Sequence, residues 1–278
     1  RNGTVEVIPN GDGHEATPSV VAFAKGGGRV FGNAAKVQVT RDPMCTAFGT
    51  KRLFGDQALV RPCAGRCPLR CEASGAGART ALAWLAKQPL CPPLTGHIQT
   101  FLGQDGRPTI MVNSRMYHPE QISAMLLGQI KASAERYLGE KVHGAVVTVP
   151  ACFDTTQRRM TIDAATIAGL SVYRVETRST AAVMGHYSQG DEPVVRRRVL
   201  VYNMGGGCCN ISLLSLEEEG ILDMIATSGD MALGGEDVDS NLVDFCIDVF
   251  RQHHPGMDLS ADARALLRLR EECERAKR

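Results

Sequence analysis

No run of the chain reaches the roughly 18 apolar residues of a membrane span, so the sequence predicts no membrane-crossing helix. Neither sign of charge is in excess. Lys and Arg number 31, Asp and Glu 30, and the formal net charge is +1. That balance implies neither nucleic acid nor an anionic membrane as a partner. No leader is visible before Arg1-Asn2-Gly3 and no methionine opens the chain, which sets the expectation of a fragment. Cys-x-x-Cys pairs are also absent, although there are ten cysteines. The cysteines are scattered through apolar and glycine contexts. Buried free thiols in a reducing compartment are expected in preference to a disulfide framework.

What is present is the mixture of a globular protein, 44% hydrophobic and 22% charged, long enough for one large domain or two lobes. The stretch Val199 to Leu214 organises the rest. Val199 to Tyr202 reads as a buried strand, Gly205-Gly206-Gly207 as a turn, and Ile211 to Leu216 as a second strand. One or two glycines satisfy an ordinary hairpin. The third suggests close approach of a ligand to the backbone, and a phosphate held by bare N–H groups is the usual case. A plain glycine hairpin is the other reading.

Before it, Thr4–Ile8, Ser19–Phe23 and Val30–Gly32 read as short strands punctuated by glycine turns, with a short helix at Ala34–Thr40. Residues 56–104 differ in character, rich in Cys, Pro, Arg and Ala without a sustained period, and only Thr80–Lys87 looks helical. Cys63, Cys67 and Cys71 recur at every fourth position there. A metal site is one reading, but ligand-spaced histidines are missing, and disordered or mistranslated sequence is the favoured one.

From residue 106 the pattern becomes regular. A hairpin is expected across Asn113-Ser114, then a helix opened by Pro119 and ended near Gly139. A buried strand at Gly144–Val149 stops at Pro150. Asp154 caps a helix whose apolar face carries Met160, Ala164 and Ile167. Val172–Val175 is a strand, Thr180–His186 a helix, and Gly190–Pro193 a linker. This alternation predicts an α/β protein with parallel strands. Ile221–Ala226 forms a further strand. Ser228-Gly229-Asp230 and Leu233 to Asp237 form a second polar glycine-rich turn before helices at Asp237–Arg251 and Ser260–Arg278. On the last helix Glu274, Lys277 and Arg278 share one side.

Several phrases together resemble the nucleotide-binding domain of the heat shock protein 70 family. They are VEVIPNGDGHEATPSVVAF, TKRLFG, YHPEQISAMLL, GAVVTVPACFD, QRRMTIDAATIAGL, STAAV, MGGGCCNIS, GDMALGGEDVD and LREECERAKR, in the family's order and spacing. The resemblance covers roughly residues 1–55 and 105–278. It implies an actin-like (ribonuclease H-like) two-lobed ATPase fold, here incomplete, with ATP or ADP and Mg2+ between the lobes. The lobes are expected at 1–190, including the unmatched 56–104, and at 194–278, the second in part. Lys51 matches the lysine that orients the water attacking the γ-phosphate. Gly205, Gly206 and Gly207 match the phosphate hairpin, Gly234 and Gly235 a second loop near the nucleotide, and Glu274, Lys277 and Arg278 the adenosine clasp. Pro150 and Arg158 match positions that relay the nucleotide state.

The departures fall on the chemistry. The family's first phosphate-binding turn is expected before Arg1, and its last adenine-side strands and peptide-binding domain after Arg278. Asn203 stands for an aspartate of the magnesium shell, Cys208 for a threonine, and Arg178 for a glutamate of the catalytic site. An amide and a cation serve magnesium poorly. The sequence therefore predicts the ATP-binding domain of a chaperone with impaired hydrolysis. The alternatives are a non-catalytic interaction module (a pseudo-ATPase) that binds co-chaperones or nucleotide-exchange factors, and a gene relic. The cytosol is the expected compartment, with organelles left open.

Overall fold

The computed structural model describes residues 6–24, 26–42, 45–55, 99–102, 107–189, 196–218, 220–231 and 233–278. The Cys63/Cys67/Cys71 spacing, the Thr80–Lys87 helix and the Gly190–Pro193 linker lie outside them. The described residues form a mixed α/β chain of four small sheets and six helices. They divide into two units, one of residues 18–119 and 232–278, the other of 1–17 and 120–231.

In the first unit, β1 (Val20–Phe23) lies between β2 (Arg29–Phe31) and β3 (Thr46–Phe48), both antiparallel to it. Val21, Ala22 and Ala47 are buried there. Helix α1 (Gly32–Arg41) packs on this sheet through Ala35, and a 3-10 turn, Thr50–Leu53, follows β3. A second sheet joins β4 (Gln99–Leu102), β5 (Pro108–Val112) and β6 (Arg115–Tyr117). Asn113 and Ser114 turn β5 into β6 with φ of 50° and 59°, the mirror-image turn that matches strand twist. The Asn113 side chain donates to the Phe23 carbonyl and accepts from the Cys45 thiol. Helices α5 (Gly235–His253) and α6 (Ala263–Lys277) complete the unit. The last helix begins three residues later than expected, because Asp262 accepts from Arg264 N and Ala265 N and caps it there.

The second unit opens irregularly: Glu6–Ile8 form no ladder, against the strand expected over Thr4–Ile8. Helix α2 (Pro119–Leu138) starts on Pro119, whose missing N–H is not needed in a first turn, and ends where Gly139 takes φ 74°. Strands β7 (Gly144–Val149) and β8 (Ser171–Thr177) pair in parallel around α3 (Thr155–Ile167), a β–α–β crossover. Burial in β7 is less than expected. Val149 is buried while Val146 is 58% exposed, and among the described residues β7 pairs with β8 alone. On α3, Gln157, Met160, Thr161, Ala164 and Ala165 face inward and Ile167 is exposed. Its start is a reciprocal cap. Gln157 N donates to Asp154 Oδ1 at 2.8 Å and Asp154 N to Gln157 Oε1 at 3.0 Å. Replacing Asp154 with Ala is expected to lower stability by about 1 kcal/mol, read from urea denaturation; no change would show that the cap contributes nothing.

Helix α4 (Arg178–Gln189) follows β8, and β9 (Arg197–Met204), β10 (Cys209–Leu216) and β11 (Leu222–Asp230) form an antiparallel sheet with β10 central. β9 is not the buried strand the apolar run suggested. Its residues alternate, and Leu200 and Tyr202 are 68% and 63% exposed. Nor is Ser228-Gly229-Asp230 a turn. These residues continue β11 opposite Cys209, Asn210 and Ile211. Gly229 serves close approach, because an added Cβ would lie 2.4 Å from the Cys209 carbonyl oxygen and 2.9 Å from Asn210 Oδ1.

Candidate functional site

The phosphate hairpin of the sequence reading joins β9 to β10. Met204 pairs with Cys209, and Gly205 N donates to the Cys208 carbonyl at 2.9 Å, closing Gly205-Gly206-Gly207-Cys208 as the loop. The Gly205 amide is thus engaged within the turn. Its φ lies outside the left-handed region, and an added Cβ would meet the Cys208 carbonyl at an ordinary 3.6 Å. Neither backbone strain nor crowding in the hairpin itself demands glycine at that position.

Asn203 lies opposite Asn210 across the ladder, so the two share a face. Asn210 is 2% exposed; its Oδ1 accepts from Cys152 Sγ at 2.9 Å and its Nδ2 points to Cys208 Sγ at 3.6 Å. The Cys152 thiol also lies 2.9 Å from Met231 Sδ. Two residues along β10, buried Ser212 shares a 2.7 Å hydrogen bond with Ser179. That bond sets the first turn of α4, and therefore Arg178, against the strand leaving the glycine loop. Thr177 Oγ1 caps the helix by accepting from Thr180 N. A cation in a first turn is opposed by the helix dipole, so Arg178 is not explained by helix formation. Arg158 holds the turn after Pro150, donating from Nε to the Phe153 carbonyl at 3.0 Å and from Nη2 to that of Ala151. Cys152 at the tip of that turn is the part that touches Asn210.

The remaining candidates gather in the other unit. Lys51 is exposed on the 3-10 turn, and its neighbour Arg52 is 8% exposed. Arg52 Nη2 meets Asp237 Oδ2 at 3.0 Å and Glu236 Oε2 at 3.7 Å. Gly234 and Gly235 open α5. Gly234 N donates to Asp237 Oδ2 at 2.7 Å, and Asp237 N and Val238 N return to the Gly234 carbonyl. The second glycine loop therefore has an internal carboxylate on its first amide. From α6, Lys277 Nζ donates to the Gly235 carbonyl at 2.9 Å and to Asp239 Oδ2 at 2.8 Å, with Asp239 Oδ1 also at 2.8 Å. Arg270 donates to the Glu236 carbonyl and to Ser240 Oγ. Glu274 Oε2 accepts from Lys36 Nζ at 2.6 Å and its Oε1 from Arg278 Nη2 at 2.8 Å.

Burial drives the Glu236 carboxyl above its ordinary value, against the pull of Arg52 and Arg270. Among the described residues its buried Oε2 has no hydrogen-bond partner. Burial likewise lowers Arg270, against Glu236 and Asp239. For Glu274 the burial effect, which alone would raise the carboxyl, is outweighed by Lys36 and Arg278, and the net direction is down. Arg52, Arg270 and Asp239 are residues that sequence reading missed. The signals available were the cation directly after Lys51 and a carboxylate one helical turn beyond Gly235.

Magnesium takes hard oxygens, preferably anionic. Around the glycine hairpin the inner face offers Asn203, Asn210, Cys208 and Cys152, amides and thiols. No group of three or more His, Cys, Asp or Glu among the described residues could hold a metal ion. These residues do not fit the ion.

These features define an α/β protein with two glycine turns and a charged helix face. The sequence profile of the family described as "Hsp70 protein" matches residues 1–66 and 96–278. "Heat shock 70 kDa protein BIP3" of Oryza sativa subsp. japonica is 40% identical over 283 residues, covering 100% of this chain and 38% of that protein. "Heat shock 70 kDa protein" of Neurospora crassa is 38% identical over 286 residues, covering 100% and 39%. "Heat shock 70 kDa protein 2" of Paracoccidioides lutzii is likewise 38% identical over 286 residues, covering 100% and 38%. The chain belongs to the Hsp70 family and spans about two fifths of the length of the relatives it matches. The family implies an actin-like ATPase fold.

Proposed function

We propose that this chain is the ATP-binding domain of a heat-shock-type chaperone, incomplete in its actin-like fold, in which nucleotide contact persists and hydrolysis is impaired. The observation that carries the reading is the hairpin. Its glycine loop is formed, and by the resemblance Asn203 and Cys208 stand where the family has an aspartate and a threonine. In this reading Gly205, Gly206 and Gly207 meet the phosphates, and Gly234 and Gly235 form the second loop that the resemblance assigns to the nucleotide. Lys51 faces the γ-phosphate, and Glu274, Lys277 and Arg278 hold the adenosine. Arg178 supplies phosphate with a cation where a carboxylate would have served magnesium. The cytosol is the compartment in this reading, from the cysteine usage of the sequence.

Calorimetric titration of ADP and ATP, with and without magnesium, tests it. Binding that scarcely depends on magnesium is the expected result. Gly205→Ala is expected to leave stability within about 1 kcal/mol of the parent while weakening nucleotide affinity, since the added methyl fits the hairpin and obstructs only a ligand. Equal affinity in the variant would remove Gly205 from the site.

A second reading, favoured by Asn203, Arg178 and Cys208, is a non-catalytic interaction module whose partners are co-chaperones or nucleotide-exchange factors. No nucleotide binding by a cooperatively melting chain would select it.

A further inference from the structure

The Lys277 side chain is held more tightly than a nucleoside-contacting lysine on a solvated helix face needs to be. An ammonium has three donors. Here the ammonium donates to Asp239 Oδ2 at 2.8 Å and to the Gly235 carbonyl at 2.9 Å, and it lies 2.8 Å from Asp239 Oδ1, which accepts no hydrogen bond among the described residues. The side chain of Asp239 is only 7% exposed and that of Lys277 27%. A free lysine carries about 2 kcal/mol of rotamer entropy. Freezing it beforehand leaves less to lose when a ligand arrives.

Asp239 adds a third acidic side chain to the start of α5. It lies one turn inside α5, where Glu236 and Asp237 already supply negative charge to the first turn and Asp237 already caps Gly234. A third carboxylate there adds like charge, which cations of α6 offset: Arg270 acts on it electrostatically and the ammonium of Lys277 touches it. Through Lys277, α6 is tied to the amide plane that follows the second glycine.

We propose that Asp239 is a positioning residue for the adenosine clasp, fixing Lys277 against the Gly234-Gly235 turn so that its place is set before nucleotide binds. The inference rests on the nucleotide-binding reading given above. It assigns the control of nucleoside affinity to a residue outside the clasp itself.

The 278-residue chain is titrated with ATP and, separately, with inorganic tripolyphosphate, which has the phosphates and no nucleoside. Asp239→Asn is expected to lower ATP affinity about tenfold, the size of one lost charge-assisted hydrogen bond, and to leave tripolyphosphate affinity unchanged. Lys277→Met is expected to give the same loss, and the double variant no more than either alone. A merely structural role would weaken both ligands together, and additive losses would mean that Asp239 does not act through Lys277. Either result overturns the proposal. Should Asp239→Asn fail to melt cooperatively, Asp239→Glu keeps the charge and shifts the ammonium by one methylene; the same selective loss is expected, and unchanged ATP affinity overturns the proposal. If the parent binds neither ligand, the nucleotide reading falls and this inference with it. If the parent prefers ATP and the Asp239 variants keep that preference, the inference alone falls.

Discussion

Magnesium-ATP turnover by the purified chain is expected to lie about a thousandfold or more below that of intact Hsp70 relatives. Each tenfold in rate corresponds to roughly 1.4 kcal/mol of barrier, and preorganised charge at the reacting phosphate is usually the largest contribution to such a reaction. Two positions that present carboxylates in the family present an amide and a guanidinium here, Asn203 and Arg178. The change at Arg178 is the larger in electrostatic terms, since it moves the local charge by two units and places a cation in the first turn of α4. Asn203 pairs with Asn210, whose own side chain is committed to Cys152 and Cys208, so the inner face has little to redirect toward a metal. Restoring both together, Asn203→Asp with Arg178→Glu, is expected to recover at least about tenfold in rate. Each alone should recover less than its share, because residues acting on one charge do not contribute additively. Phosphate release under single-turnover conditions, with Lys51→Ala as the background, measures this. A parent rate within tenfold of intact relatives would sink the idea of impaired hydrolysis.

The parts of this molecule legible in its sequence are those set by neighbours along the chain. Asp154 announces the start of α3, Pro119 and Gly139 bracket α2, and Asn113-Ser114 makes a hairpin because both residues tolerate positive φ. What depends on distant neighbours was not legible. Val199 to Tyr202 is apolar throughout, yet exposure alternates because only one face of β9 is covered. Ser228-Gly229-Asp230 has a turn's composition, while its glycine answers to the Cys209 carbonyl of the adjacent strand. The candidate site divides in the same way. Gly205 is legible from the surplus glycines of its hairpin, and Lys51, Glu274 and Lys277 come from the resemblance, phrase by phrase. Arg52, Asp239 and Arg270 lie 30 or more positions from their partners, as in Arg52 with Asp237 (185 positions) and Arg270 with Ser240 (30). Periodicity carries no information about such pairs.

Arg52→Met is expected to cost about 3 kcal/mol of stability, near the lower end of what breaking a buried ion pair from one side does. The guanidinium is 8% exposed and stands between Asp237 at 3.0 Å and Glu236 at 3.7 Å. Removing it strands two partly desolvated carboxylates beside Asp239 at the start of α5, one of them needed as the cap on Gly234. Glu236 gives the loss a pH signature. Its folded pKa is raised, chiefly by burial, so its contribution to stability is fully present below the ordinary carboxyl range and is lost as pH rises through the raised folded value. Arg52 is the foremost of the charges that restrain that rise. Without it the folded value climbs further, the window of loss extends upward, and the deficit of the variant grows between mildly acidic and neutral pH. Urea denaturation at several pH values reads both the size and the slope. Adding Glu236→Gln and Asp237→Asn should recover most of the stability. The neutral amides are isosteric with the carboxylates and need no counter-ion, and the second of them keeps an oxygen for the Gly234 N–H. A variant within about 1 kcal/mol of the parent, a range typical of exposed pairs, would mean that the Arg52 pair is solvated and that the first turn of α5 holds its acidic residues without help.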